Sequence, residues 1–160
     1  MARTELLSRT SQRGVPFWLP LVVVLLIIAR VISSRYSVHA AADLVKWVPV
    51  EQAERTARMT NKPILYEFSA AWCGPCHVLE DEVFRDSDMA KLINESFVPV
   101  RLVDTRRETG ANAPAVDALQ SQFHVNAFPT VVAVREGRPA ATQVGYEGRA
   151  AFETFLRGNL

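Results

Sequence analysis

Ile64-Leu65-Tyr66-Glu67-Phe68-Ser69-Ala70-Ala71-Trp72-Cys73-Gly74-Pro75-Cys76-His77 is the stretch on which the fold turns. Its first five residues form a short, mostly apolar run behind Asn61-Lys62-Pro63, the pattern of a buried strand. That run leads into the chain's two cysteines, Cys73 and Cys76, three positions apart. Sulfurs one helical turn apart can bridge, since a disulfide needs Cα atoms within roughly 4.4–6.8 Å. Closing so short a loop removes little entropy from the unfolded chain, so the pair suits reactivity better than stapling.

Three chemistries share this motif. C-x-x-C-H is the attachment signature of c-type haem, with His77 as axial ligand, whereas C-x-x-C at the end of a strand reads as a redox dithiol. A third reading is a non-catalytic module that only grips a partner. A metal centre is not expected, because His39 and His124 are isolated and a closed zinc site wants four ligands. The strand running into the motif favours the dithiol.

The rest of the 160 residues bounds the setting. Arg3, Arg9 and Arg13 (residues 1–14) precede an uncharged stretch from Val15 to Ala29, closed by Arg30-Val31-Ile32. This is the order of a signal anchor or a signal peptide over 15–32, with a cytoplasmic N-terminus. The stretch is short of the ~20 residues of a comfortable span, which Arg30 extends by snorkelling. Small residues at Val38-His39-Ala40 and Ala40-Ala41-Ala42 offer cleavage sites, but they lie far from Ile32 and beyond Arg35, so a retained anchor is the expectation. A linker over 33–42 then leads to one domain at 43–160. Five of the 18 basic residues and one of the 17 acidic ones lie before Tyr36, which leaves the exported part at a formal charge of −3. No basic patch with interleaved aromatics appears, so nucleic acid is not an expected partner.

Along the domain, Val50 to Met59 reads as a helix stopped by Asn61-Lys62-Pro63, followed by the strand Ile64 to Phe68. Val78, Leu79, Val83 and Phe84 recur at helical spacing, and Asp86-Ser87-Asp88 caps a further helix bearing Met89, Leu92 and Ile93. A strand from Phe97 to Val103, a loop from Asp104 to Pro114 and a helix from Ala115 to Phe123 come next. Thr130 to Val134 is a buried strand, turned by Glu136-Gly137-Arg138 into Ala140 to Val144, and Arg149 to Leu156 is a closing amphipathic helix. The pattern predicts an α/β sandwich with a mixed central sheet and helices on both faces.

Leu65 to Cys76 resembles the active-site strand and helix of the thioredoxin superfamily. Phe123-His124-Val125-Asn126-Ala127-Phe128-Pro129-Thr130 resembles its substrate loop, and Val144-Gly145 with the last helix resembles its C-terminal end. The resemblance implies a thioredoxin-like three-layer sandwich and a thiol:disulfide oxidoreductase with no dissociable cofactor. Trp47 to Pro63, Glu82-Val83-Phe84 and the longer loop from Thr105 to Pro114 look more like exported relatives, including the C-terminal domain of the membrane carrier that reduces periplasmic disulfides. The implied partners are protein disulfide substrates, a membrane electron donor and, through the N-terminal segment, the membrane itself. A role in cytochrome c maturation or disulfide repair follows from the same resemblance.

Cys73, at a helix N-terminus that favours a thiolate, is expected to attack, and Cys76 to resolve the mixed disulfide. Gly74 and Pro75 match the dipeptide of reducing thioredoxins, and proline early in a helix lacks only an N–H that has no partner there. Glu67 falls where the family keeps a buried acid, mostly aspartate; it shares a strand face with apolar Leu65, and a desolvated carboxyl is suited to take the Cys76 proton. The resemblance makes Pro129 cis and gives Phe128 backbone groups for an extended substrate, with a bulkier side chain than is usual there. Trp72 is expected either to shield Cys73 at the substrate surface or to pack in the core. His77 is expected to be a solvated helix residue.

Overall fold

The structure, a computed structural model, describes Trp18, residues 22–27 and residues 43–160. Two units are distinguished, Met1–Ala40 and Ala41–Leu160. In the first, residues 22–27 are helical, their side chains exposed, and the Val22 N–H donates to the Trp18 carbonyl at 3.0 Å. No helix among the described residues is long and apolar enough to cross a membrane. The basic lead at 1–14, most of the expected span at 15–32, the linker at 33–42 with its cleavage-like sites, and His39 lie outside the described residues.

The second unit is built as α1 (Val50–Thr60), β1 (Ile64–Ala70), α2 (Gly74–Leu79), a π-helical turn (Glu80–Phe84), α3 (Ser87–Ser96), β2 (Val98–Asp104), α4 (Arg106–Thr109), α5 (Pro114–Gln122), β3 (Thr130–Arg135), β4 (Arg138–Val144) and α6 (Arg149–Arg157). The four strands form one mixed sheet in the order β2-β1-β3-β4. β1 runs parallel to β2, with Glu67 opposite Arg101, and antiparallel to β3, with Glu67 opposite Val131. β3 and β4 are antiparallel, with a register shift at Ala133/Val134.

The two-residue period of β1 divides the core. Ile64, Tyr66 and Phe68 join Val98, Val100 and Leu102 of β2 and Val132 and Val134 of β3, covered by Ala53 of α1 and Val116 of α5. Leu65, Val131 and Ala133 face the other way, into Leu79, Val83, Phe84, Met89, Ile93, Phe152 and Leu156 from α2, the π-turn, α3 and α6. Helices therefore cover both faces of a central sheet, as the alternation predicts.

Local chemistry sets the element ends. Asn61 takes φ +54° and closes α1 two residues before Pro63. The Asp86 side chain accepts the Asp88 and Met89 N–H groups at 3.1 and 3.0 Å, capping α3 as expected. Beyond shifts of one or two residues at element ends, two details differ from the sequence reading. The segment after the cysteines widens into a π-turn, closed by Arg85 N–H to Glu80 C=O at 3.0 Å, so Leu79, Val83 and Phe84 are buried while Val78 is exposed. The Asp104–Pro114 loop contains the short helix α4, ended by Gly110 at φ +83°.

Candidate active site

The carboxyl end of β1 turns through Ala71 and Trp72 into α2, and the two cysteines straddle the helix start. Cys73 is the N-cap residue, extended at φ −86° and ψ 102°, and its Sγ accepts the Cys76 N–H at 3.2 Å. Cys73 and Cys76 are joined by a disulfide, with Cα atoms 5.3 Å apart. Capping groups are the natural acceptors for the unpaired first N–H groups of a helix, so the same position stabilises a sulfur anion when the bond opens. Both cysteines are buried, packed with Ala70 and against Phe128. Gly74 and Pro75 between them are exposed. A Cβ at Gly74 would meet nothing within 4 Å, so no packing contact demands glycine on this exposed approach to the sulfurs.

Two aromatic rings flank this approach. Trp72 is 45% exposed, which rules out the core alternative, and its ring meets Phe128 edge-on at 5.8 Å. The Phe128-Pro129 peptide bond is cis, as the resemblance implies. Phe128 lies before the first ladder pair, Thr130 with Val144, so its backbone groups stand outside the sheet pairing. The loop is held from behind: Gly145 N–H donates to Pro129 C=O at 2.7 Å, and Thr130 Oγ1 to Ala127 C=O at 2.8 Å. His77 is exposed, with Nε2 2.9 Å from the Ala71 carbonyl, and so helps to close the turn carrying Trp72.

Glu67 is 2% exposed, on the Leu65 face of β1 as the alternation predicts. Its Oε2 accepts from Ser69 Oγ and from Arg101 Nε, both at 3.2 Å. Burial pushes its pKa up from 4.5 to about 7, against the opposing pull of Arg101 and the two hydrogen bonds. A carboxyl poised near neutrality can both hold and release a proton under working conditions.

A family model described as a thioredoxin-like domain matches residues 50–158, which contain every one of these groups. The chain belongs to the thioredoxin-like family. The thioredoxin of Mycobacterium tuberculosis is 36% identical over 99 residues, covering 58% of this chain and 69% of that protein. Among solved structures, a DsbH oxidoreductase superposes with a TM-score of 0.63 at 22% identity, over 76% of this chain and 88% of its own. The C-terminal domain of Neisseria meningitidis DsbD, in its oxidised form, does so at 0.55 and 18%, over 67% and 89%. With a disulfide in the C-x-x-C spacing of that family, this thioredoxin-like protein is a thiol:disulfide oxidoreductase.

The thioredoxin-like site includes residues that the sequence reading did not single out. Arg101 of β2 bridges Glu67 to Asp43, its Nη1 lying 2.7 Å from Asp43 Oδ2. Its guanidinium lies 4.2 Å from the Trp47 ring centroid and 5.1 Å from that of Phe84, and Trp47 Nε1 donates to Asp43 Oδ2 at 2.7 Å. A lone arginine between apolar Val98, Val100 and Leu102 is the signal by which it could have been found, because a cation in a buried strand requires a partner. Arg107 of α4 lies over the Trp72 ring at 3.6 Å, and only the unusual length of its loop marked it in the sequence.

Proposed function

We propose that this protein reduces disulfides in protein substrates on the outer side of the cytoplasmic membrane, anchored by its N-terminal segment. The observation that carries the reading is the Cys73–Cys76 disulfide itself, with Cys73 Sγ on the helix cap and exposed Trp72 and half-buried Phe128 beside the motif. In the reduced protein the Cys73 thiolate attacks one substrate sulfur. A mixed disulfide forms, and the other substrate sulfur leaves as a thiolate. Glu67 accepts the Cys76 proton, the Cys76 thiolate attacks Cys73 Sγ, and the second substrate sulfur departs. Two electrons pass from the dithiol to the substrate, leaving Cys73 bonded to Cys76.

The Gly74-Pro75 dipeptide, shared with reducing thioredoxins, supports the reducing direction. Phe128, half-buried against the cysteines and outside the sheet ladder, offers the backbone groups along which an extended substrate lies, with cis-Pro129 buried behind it and the exposed Trp72 ring 5.8 Å from its own. The basic lead and apolar stretch at the N-terminus support the anchor and the outward-facing domain. An outward-facing reductant must be re-reduced, and the partner for that step is a membrane-embedded thiol electron donor.

The test is insulin-disulfide reduction by the full chain in detergent, with dithiothreitol as electron source, comparing wild type with Cys73→Ser and Cys76→Ser. Activity lost in both variants, with a covalent substrate adduct accumulating on Cys76→Ser, is the expected result. Undiminished activity in Cys73→Ser, or a haem absorbance spectrum, would overturn the reading.

A further inference from the structure

Arg107 is one of two adjacent arginines on α4, and the pair is used unequally. Arg106 Nη2 lies 2.6 Å from Asp117 Oδ1. The ion pairs among the described residues draw on Arg58, Arg85, Arg101, Arg106, Arg149 and Arg157, and Arg107 is in none of them. It is exposed, and its guanidinium carbon stands 3.6 Å from the centroid of the Trp72 ring. A guanidinium resting on an aromatic face spends only its π-surface there. No side-chain hydrogen bond or ion pair among the described residues uses its N–H donors, which leaves their fork available to a carboxylate.

The loop behind Arg107 is braced. Asn112 accepts the Thr105 N–H on Oδ1 at 2.7 Å and donates through Nδ2 to Asp104 and Asp117, both at 2.9 Å. Buried Gln120 donates to Asp104 Oδ2 at 3.0 Å, and the Thr105 and Thr109 hydroxyls donate to the Ala111 carbonyl at 2.9 and 2.8 Å. So many side-chain bonds in one loop hold α4 against Trp72 before any ligand arrives, which reduces the ordering cost of binding.

We infer that Arg107, stacked on Trp72, receives an aspartate or glutamate of the substrate polypeptide close to the disulfide under attack. This rests on the reductase reading above and adds a substrate preference to it. The Trp72 ring meets Phe128, which packs against both cysteines, so Arg107 stands at the rim of the same substrate approach and the acid it receives flanks the reacting cystine.

The experiment uses the full chain in detergent and three cyclic peptides, each closed by one disulfide and differing only in an Asp, Asn or Lys next to one cysteine. Each kcat/KM is divided by the rate constant of the same peptide with dithiothreitol, which removes the neighbour's own effect on the disulfide. Wild type should favour Asp over Asn by about fivefold, the size of an exposed ion pair, and the preference should fade near 1 M salt. Arg107→Ala should bring the Asp/Asn ratio to one, Arg107→Glu should place Lys above Asp, and Arg107→Lys should keep part of the preference. Equal wild-type rates on all three peptides, or an unchanged order in Arg107→Ala, would overturn this inference and leave the reductase standing. Failure to reduce any of the three would remove the reductase reading and this inference together.

Discussion

Arg101 faces Glu67 across the parallel β1–β2 pair, its Nε 3.2 Å from Glu67 Oε2, while its Nη1 holds Asp43 at 2.7 Å. One cation is thus divided between a buried carboxylate and a partly exposed one. A buried carboxylate is costly unless fully compensated, and the divided arginine leaves Glu67 undercompensated, with its pKa near neutrality.

Glu67 should therefore make the fold less stable as the medium becomes more basic. The folded protein holds the Glu67 proton up to about pH 7, whereas the unfolded chain releases it near 4.5. Its contribution is full below about 4.5 and is lost as pH rises through about 7, a change on the order of 3 kcal/mol. Urea unfolding at pH 5 and pH 8 should show a decline in wild type that Glu67→Gln lacks. Parallel declines in the two proteins would refute it. The same variant should slow release of the mixed disulfide on the order of a hundredfold at pH 7.5, read by quenched flow.

Asp43 and Arg101 should move the Glu67 titration in opposite directions. Arg101→Met removes the opposing pull on the carboxylate and raises its pKa above about 7. Asp43→Asn frees Arg101 to lean on Glu67 alone and lowers it. The carboxyl stretch of Glu67 in difference infrared spectra follows both changes, and movement in the same direction would refute the shared-cation account.

Asp86 ties two helices together, capping α3 and accepting Arg149 Nη1 and Nη2 at 2.9 and 3.0 Å. The Met89 N–H first, and the Arg149 charge after it, hold its pKa below the usual carboxylate range against a partial opposing effect of burial. A depressed acid stabilises the fold above its unfolded pKa and loses that contribution as pH falls through the folded value. Asp86→Asn should melt lower than wild type at pH 7, and the gap should close on acidification below pH ~4. A gap that persists in acid would exclude this origin.

Phe152 anchors α6 beneath the sheet, edge-on to Phe84 at 6.4 Å and 1% exposed. Phe152→Ala should cost about 3–5 kcal/mol in chemical denaturation, because the ring leaves a cavity among Leu65, Val131 and Leu156. A loss under about 1 kcal/mol would mean that the helix repacks freely.

How much of this was legible depended on whether a residue's partners are local. The period-two alternation of Ile64 to Phe68 and the three-residue gap between the cysteines carry their structural meaning within a few positions, and strand, helix start and sulfur pair follow from them. The Asp86 cap is equally local. Arg101, by contrast, matters through Asp43 and Glu67, 58 and 34 positions earlier, and no short-range pattern encodes that meeting. The π-turn at Glu80–Phe84 escaped for a related reason: helical spacing predicts a buried stripe, but one wider turn shifts which residue faces out, and Val78 lost its place. Arg107 acquires its place only through the bonds that fold its loop back toward Trp72.

β4 is the outermost strand on its side of the sheet, paired only with β3 and mostly exposed. A bare edge invites a second chain to add on, and this one carries Pro139, which has no N–H to offer, at the irregular register beside Arg138. The flaw in the ladder thus protects solubility. Copies of the domain brought together at high concentration are thereby kept from pairing edge to edge through β4.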